Sequence, residues 1–77
     1  MVTYIVDIAT KNNLAMCDIV PSKDDRIALA IKGETLECVV ECVLYDLPSK
    51  GVIVFVSIVP PYYTEMENNI KWNLKKG

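Results

Sequence analysis

The chain has 77 residues and a mass of 8.6 kDa, with 52% hydrophobic and 23% charged residues. This composition predicts one small globular domain, residues 1–77, and excludes intrinsically disordered and collagen-like chains. Eight Lys and Arg against ten Asp and Glu give a net charge of −2, which is the wrong sign for a protein that binds nucleic acid through its phosphates. Because so short a chain buries little of its surface, we expect a protein partner or a homo-oligomer to cover more of it.

The residues that most enzymes need are missing or too few. The chain has no histidine, which excludes Ser-His and Cys-His nucleophilic pairs, and its three glycines form no phosphate-binding loop. The cysteines Cys17, Cys38 and Cys42 are an odd number and fall short of the four ligands of a structural zinc site. No apolar run reaches the roughly 20 residues of a membrane span, and residues 1–4 lack a basic leader. We therefore predict a non-catalytic cytoplasmic protein with reduced thiols, no cofactor and no metal.

The first twenty residues predict a β-hairpin. Residues 2–8 are rich in β-branched and aromatic side chains, and residues 14–20 repeat a strand-like pattern. Between them, Asn12 and Asn13 are typical of a tight turn. A two-residue turn at these asparagines places Asp7 directly opposite Asp18.

Residues 26–32 predict a third strand, because apolar side chains alternate along them. The alternative is a short helix here, capped by Ser22 and Asp25.

Residues 34–47 fit both a helix and a strand. Leu36, Val40, Val43 and Leu47 share one face of a helix, whereas Leu36, Val40 and Leu44 share one face of a strand. The run is long for a strand, and acidic residues at its start suit the amino-terminal end of a helix dipole. The sequence therefore favours a helix.

Residues 52–59 predict a central strand, because they are apolar at both alternating positions and must be covered on both faces. Pro60 and Pro61 end this strand. In the segment 60–77, Thr64 followed by Glu67 resembles a helix capping box, which favours a short helix over residues 64–74; a strand is the alternative.

These elements predict an α+β domain with a small, mainly antiparallel sheet in the order β-β-β-α-β. Residues 1–59 form the sheet and helix core, and 60–77 are a C-terminal segment. The alternative is an all-β, five-stranded barrel of the oligonucleotide-binding or SH3-like type, in which residues 34–47 and 52–59 form one long hairpin.

Two groups of side chains are candidates for binding a partner. Glu34, Glu37 and Glu41 form an acidic stripe on the helical interpretation, which could attract a basic protein. Tyr62, Tyr63 and Trp72 are aromatic residues near the C-terminus that are typical of interface anchors.

A third group could carry catalysis. If Asp7 faces Asp18 and Glu37 lies nearby, the three carboxylates could hold a magnesium ion as in a nuclease. The more ordinary interpretation is that these carboxylates are solvated on an exposed face.

The predicted element order resembles that of the HicB family of antitoxins. The family's first strand is similar to residues 1–8, its Asp-x-Pro-Gly element to residues 18–21, and its helix start to residues 33–39, although Ser22 stands where the family has glycine. The resemblance implies a partial ribonuclease-H-like fold, and an acidic protein that neutralises a small basic ribonuclease toxin by covering its active surface.

The sequence as a whole favours a protein-interaction module that acts by occluding a partner or by assembling with it. The first alternative is a β-barrel subunit of a phage or viral particle. The second is a metal-dependent nuclease that uses Asp7, Asp18 and Glu37.

Overall fold

The computed structural model describes the backbone of residues 1–76 and the side chains of residues 1–67, 69 and 70. Its elements are β1 (Val2–Asp7), β2 (Asn13–Cys17), β3 (Arg26–Ile31), β4 (Glu34–Asp46), β5 (Gly51–Val59) and α1 (Tyr62–Lys76). The five strands form one sheet in the order β2-β1-β5-β4-β3. The pair β1–β5 is parallel and the other pairs are antiparallel. The chain is therefore a mixed, curled sheet, a half-barrel, followed by one helix.

The helix predicted over Glu34–Leu47 is wrong, because this segment is the strand β4. The element order is thus five strands and then a helix. The long hairpin of the all-β alternative is present, since β4 and β5 pair along their lengths. The segment 33–39, which the resemblance to HicB compares with a helix start, enters this strand.

A β-bulge explains why β4 has a helix-like sequence. Val40 lies opposite Val56 but Cys42 lies opposite Phe55, so Glu41 is an extra residue in the ladder. The bulge changes which alternate residues point inward. Leu36 and Val40 face the core before the bulge and Val43 faces it afterwards. The spacing of three and four residues that suggested a helix therefore belongs to a bulged strand.

The first hairpin is confirmed, but its predicted turn is wrong. The loop spans residues 8–12, and its left-handed residue is Lys11, with φ 66°. Asp7 holds this loop, because its carboxylate accepts hydrogen bonds from the Ala9 N–H and the Thr10 hydroxyl, both at 3.0 Å. Thr3 lies opposite Cys17, so the register does not place Asp7 opposite Asp18.

The strand predicted over residues 26–32 is confirmed as β3. Ser22 and Asp25 form a turn before it rather than a helix cap, and the Ser22 N–H donates to Asp25 Oδ2 at 2.8 Å. A two-residue turn joins β3 to β4, with Lys32 at φ 50° and Gly33 at φ 80°. Positive φ at both positions is the requirement of the type I′ turn, whose twist matches that of a hairpin.

The core lies on the concave inner face of the sheet. The prediction that residues 52–59 form a central strand is confirmed, because β5 lies in the middle of the sheet with β1 and β4 beside it. The fully enclosed apolar side chains are Ile5, Cys38, Val40, Val52, Val54 and Val56. Inner side chains of the two edge strands, such as Leu29 on β3, are only half-buried. An apolar cavity of about 180 Å³ lies there, between β2 and β3.

The helix predicted near the C-terminus is confirmed as α1, but it begins two residues earlier, at Tyr62. Thr64 is inside the first turn, and its hydroxyl donates to the carbonyl of Pro61 at 3.2 Å. The predicted capping box is therefore wrong, since Thr64 is not the residue that precedes the helix. The start of α1 is capped from β4 instead.

Candidate interaction surface

The three predicted acidic residues do not form a stripe, because β4 is a strand. Glu34 is exposed at the start of β4, opposite Ile31. Glu41 is exposed at the bulge, where its Oε2 accepts a hydrogen bond of 2.6 Å from the Ser57 hydroxyl. Glu37 is only 2% exposed. The part that these residues play in binding a partner stays a prediction, but they do not act as one continuous acidic face.

Glu37 anchors the helix to the sheet. Its Oε1 accepts hydrogen bonds from the backbone N–H groups of Tyr63 and Thr64, at 2.8 and 3.0 Å. Amide groups in the first turn of a helix have no partner within the helix, and a carboxylate is favoured there by the helix dipole. Its Oε2 forms an ion pair with Arg26 on β3, whose guanidinium lies 4.7 Å from the centre of the Tyr63 ring. We name Arg26, Glu37, Tyr63 and Thr64 the helix anchor.

The hydrogen bonds of the helix anchor keep Glu37 charged. Burial acts to raise the pKa of the carboxyl group, but the Thr64 N–H, the Arg26 side chain and the Tyr63 N–H together outweigh it. The pKa of Glu37 therefore lies below its ordinary value of 4.5. The charged Glu37 carboxylate therefore has a structural role, which is to hold the first turn of α1 against β4.

The predicted aromatic residues lie at the start of the helix. The rings of Tyr62 and Tyr63 meet edge to face, with centroids 4.9 Å apart and planes at 85°. Both side chains remain exposed, by 61% and 50%. The side chain of Trp72 lies outside the described residues. The structure thus brings Tyr62 and Tyr63 close to Glu37 and separates them from Glu34 and Glu41.

The convex outer face of the sheet carries a second, larger surface, which we name the outer patch. Two rows of side chains cross the strands on this face. The patch consists of Tyr4 and Val6 on β1, Met16 on β2, Cys42 and Leu44 on β4, and Ile53 and Phe55 on β5. None of these side chains carries a charge, so the patch is a continuous uncharged surface across four strands.

Exposure in the outer patch is greatest at its two sides, where Met16 is 63% exposed and Leu44 is 49% exposed. The side chains of Ile53 and Phe55 between them are half-buried. Glu37 lies opposite Val59, on the same face of the sheet as the patch, so the start of α1 is anchored at one end of this face. One signal of this surface is present in the sequence, because residues 52–59 are apolar at both alternating positions. It did not show that one of the two faces would stay open.

The described side chains offer no metal centre, since no group of three or more Cys, Asp and Glu among them could hold an ion. All three cysteines are free thiols. Burial raises the pKa of the Cys38 thiol, and the nearby carboxylates of Asp7 and Glu37 raise it further. Cys42 is exposed in the outer patch.

Of the described helical segment, no part is long and apolar enough to cross a membrane. Comparisons of the chain with known protein families, with curated proteins and with solved structures found no match.

Proposed function

We propose that this chain is a non-catalytic protein-interaction module that acts by packing the outer patch against another protein surface. The observation that carries the proposal is an uncharged, mainly apolar surface four strands wide, which is exposed at Met16, Cys42 and Leu44 and half-buried between them. Contiguous exposed apolar surfaces of this kind mark interaction sites in proteins. Association would cover Phe55 and Ile53, whose neighbours on the inner side of β5 are already buried.

The total surface of the chain supports the same conclusion. A compact monomer of 8.6 kDa exposes roughly 4,700 Å². This chain exposes 5696 Å², and its extents are 49 × 24 × 24 Å. The excess of roughly 1,000 Å² is a property of the whole elongated chain, and it shows that the chain covers less of its surface than a compact monomer does. Part of the excess belongs to α1, which carries exposed Met66 and Ile70.

Assembly is favoured over inhibition of a basic toxin. An inhibitor that recognises a basic protein by charge needs a continuous acidic face, and Glu37 is enclosed in the helix anchor instead. The outer patch, which is uncharged, suits stable packing in an assembly. The antitoxin-like role implied by the resemblance to HicB stays a prediction.

The proposal is tested with two matched leucine variants. Leu44 lies in the outer patch, whereas Leu47 lies in the turn after β4 and is 75% exposed. Tagged chains carrying Leu44→Arg or Leu47→Arg are used to capture proteins from cells of the natural source, together with an untagged copy of the same chain. We expect Leu44→Arg to lose what the unmodified chain captures, and Leu47→Arg to retain it. If the unmodified chain captures neither another protein nor its own copy, the proposal is wrong.

A further inference from the structure

We propose that one edge of β4 binds an extended segment of another protein, which adds a strand to the sheet. β4 is 13 residues long, but β3 pairs only with its first part, Glu34–Val39. Asp24 and Asp25 continue this pairing as far as Val40, through two hydrogen bonds of 2.8 and 2.9 Å. Beyond the bulge, residues 42–46 pair with β5 on one side only. We name the other side of residues 42–46 the open edge.

The open edge presents backbone groups that have no partner. The carbonyl of Val56 accepts a 2.9 Å hydrogen bond from the residue that follows β1, so the backbone groups of Val56 face β1. Successive residues of a strand bond to opposite sides, so Phe55 bonds to Cys42 on β4. The N–H and C=O groups of Val43 and Tyr45 therefore point outward. Within the described part of the chain they form no hydrogen bond.

These backbone groups select an extended chain as the occupant. Alternating donors and acceptors along a strand edge are matched by the backbone of another strand, which is an established mode of peptide recognition. Natural proteins commonly protect such edges with lysine or proline. Residues 42–45 contain neither and carry no charge. Because the edge ends at Asp46 and is occupied by Asp24 and Asp25 at Val40, it accommodates about five residues.

A cleft beside the open edge provides space for the added strand. The cleft has a volume of about 480 Å³, which lies within the range of about 300–1,000 Å³ that is typical of ligand sites. One wall is β4 itself, and the opposite wall is the connection between β2 and β3, residues 20–23. Val20 and Pro21 make part of this second wall apolar.

The side chains along the open edge indicate the composition of the occupant. Side chains of an added strand alternate between the two faces of the sheet. On one face they would lie beside Val43 and Tyr45, and on the other beside Cys42 and Leu44. Tyr45 is 56% exposed and Leu44 is 49% exposed, so both gain cover from the added strand. The occupant is therefore a segment that is apolar at both alternating positions and contains no proline.

The open edge is distinct from the outer patch, because it acts through backbone groups rather than through side chains alone. It therefore adds a second binding site to the proposed function.

Amide exchange of the unmodified full chain, measured by NMR, tests the first step. We expect the amide protons of Val43 and Tyr45 to exchange with solvent roughly tenfold faster than that of Leu44, which bonds to β5.

A displayed library of random ten-residue peptides then serves as the probe. We expect the full chain to select peptides that share an apolar run of about five residues without proline. A synthetic copy of a selected peptide, at saturation, should slow the exchange of Val43 and Tyr45 roughly tenfold or more. It should leave the exchange of Leu44 unchanged.

Two variants of one residue separate the backbone from the side chain. Tyr45→Pro removes the outward N–H, and proline is tolerated at a strand edge where the N–H has no ladder bond. Tyr45→Thr is the matched control, because it retains the N–H and is a good strand former. Tyr45→Pro should weaken binding of the selected peptide roughly tenfold or more, and Tyr45→Thr less than about threefold. If Tyr45→Pro loses its far-UV circular dichroism, amide exchange of the unmodified chain decides.

Five results would overturn the proposal. The library yields no peptide that binds, or a bound peptide leaves the exchange of Val43 and Tyr45 unchanged. The peptide instead protects Ala28 and Ala30, which would place it on the free edge of β3. Tyr45→Thr weakens binding as much as Tyr45→Pro does, which would assign the contact to the side chain. Protection of Val43 and Tyr45 rises with the concentration of the chain alone, which would make a second copy the occupant.

Discussion

Two neighbouring residues of β5 test which face of the sheet is covered. Val54 is fully buried on the inner face, whereas Ile53 is half-buried in the outer patch. Val54→Ala removes two buried methyl groups, and the burial of each stabilises the fold by about 0.8 kcal/mol. Because the substitution also leaves a cavity in the core, we expect the free energy of unfolding to fall by about 2–3 kcal/mol. Ile53→Ala removes three carbon atoms from a side chain that is only partly buried, and it leaves no enclosed cavity, so a monomer should lose only about 1.5 kcal/mol.

These losses are large for a chain of this size. A domain of 77 residues has a free energy of unfolding of about 4–11 kcal/mol. At about 4–8 °C per kcal/mol, Val54→Ala should lower the melting temperature by roughly 10–20 °C. Urea unfolding followed by far-UV circular dichroism measures both variants. The experiment is done on dilute protein, so that association does not contribute to the measured stability of the monomer.

The reasoning is refuted if Ile53→Ala destabilises this monomer as much as Val54→Ala does. That result would mean that another part of the same chain covers the outer patch.

Three further predictions concern the helix anchor and the thiols. In Glu37→Gln, the backbone amide proton of Tyr63 should exchange with solvent about tenfold faster, because its charged acceptor is lost. Glu34→Gln should leave this exchange rate, which NMR measures, unchanged. The pKa of Glu37 is lower in the folded chain than in the unfolded one, so its carboxylate stabilises the fold above the unfolded pKa. This stability should be lost as the pH falls through the folded pKa, which lies below 4.5, and the melting temperature should fall over the same pH range. In Glu37→Gln, the melting temperature should show no such fall over that range. Dilute native protein should react with iodoacetamide at Cys42 long before Cys38, which is buried and has a raised pKa, and mass spectrometry should find equal rates in urea. An unchanged amide exchange rate, an unchanged acid titration or an equally reactive native Cys38 would contradict the respective prediction.

The strands whose sequences obey one simple period were predicted well. β1 and β5 are made mostly of β-branched and aromatic residues with no insertion, and their positions agree with the prediction to within a residue or two. β4 was not predicted, because the extra residue Glu41 shifts the pattern halfway along the strand. Spacings read from a sequence assume a regular element, and a bulge breaks that assumption without a glycine or proline to mark it.

The helix anchor could not be predicted, because it joins distant parts of the chain. Glu37 caps amide groups that follow it by 26 and 27 residues. In the sequence it is one of three glutamates with similar spacing, and only the folded sheet distinguishes it from Glu34 and Glu41. The outer patch was partly predicted, since β5 had to be apolar on both faces. The register shows what the sequence does not, because Glu37 lies opposite Val59 on the same face as the outer patch and anchors α1 at one end of that face.

The place of β5 in the sheet has a consequence for how the chain is made. β5 is the last strand to leave the ribosome, yet it lies in the middle of the sheet and joins the β1–β2 hairpin to the β3–β4 hairpin. Until residue 59 has been synthesised, the two hairpins have no common core, and their apolar faces lack a partner. The sheet can therefore form only after β5 has left the ribosome, and a product truncated before residue 51 is a natural substrate for chaperones.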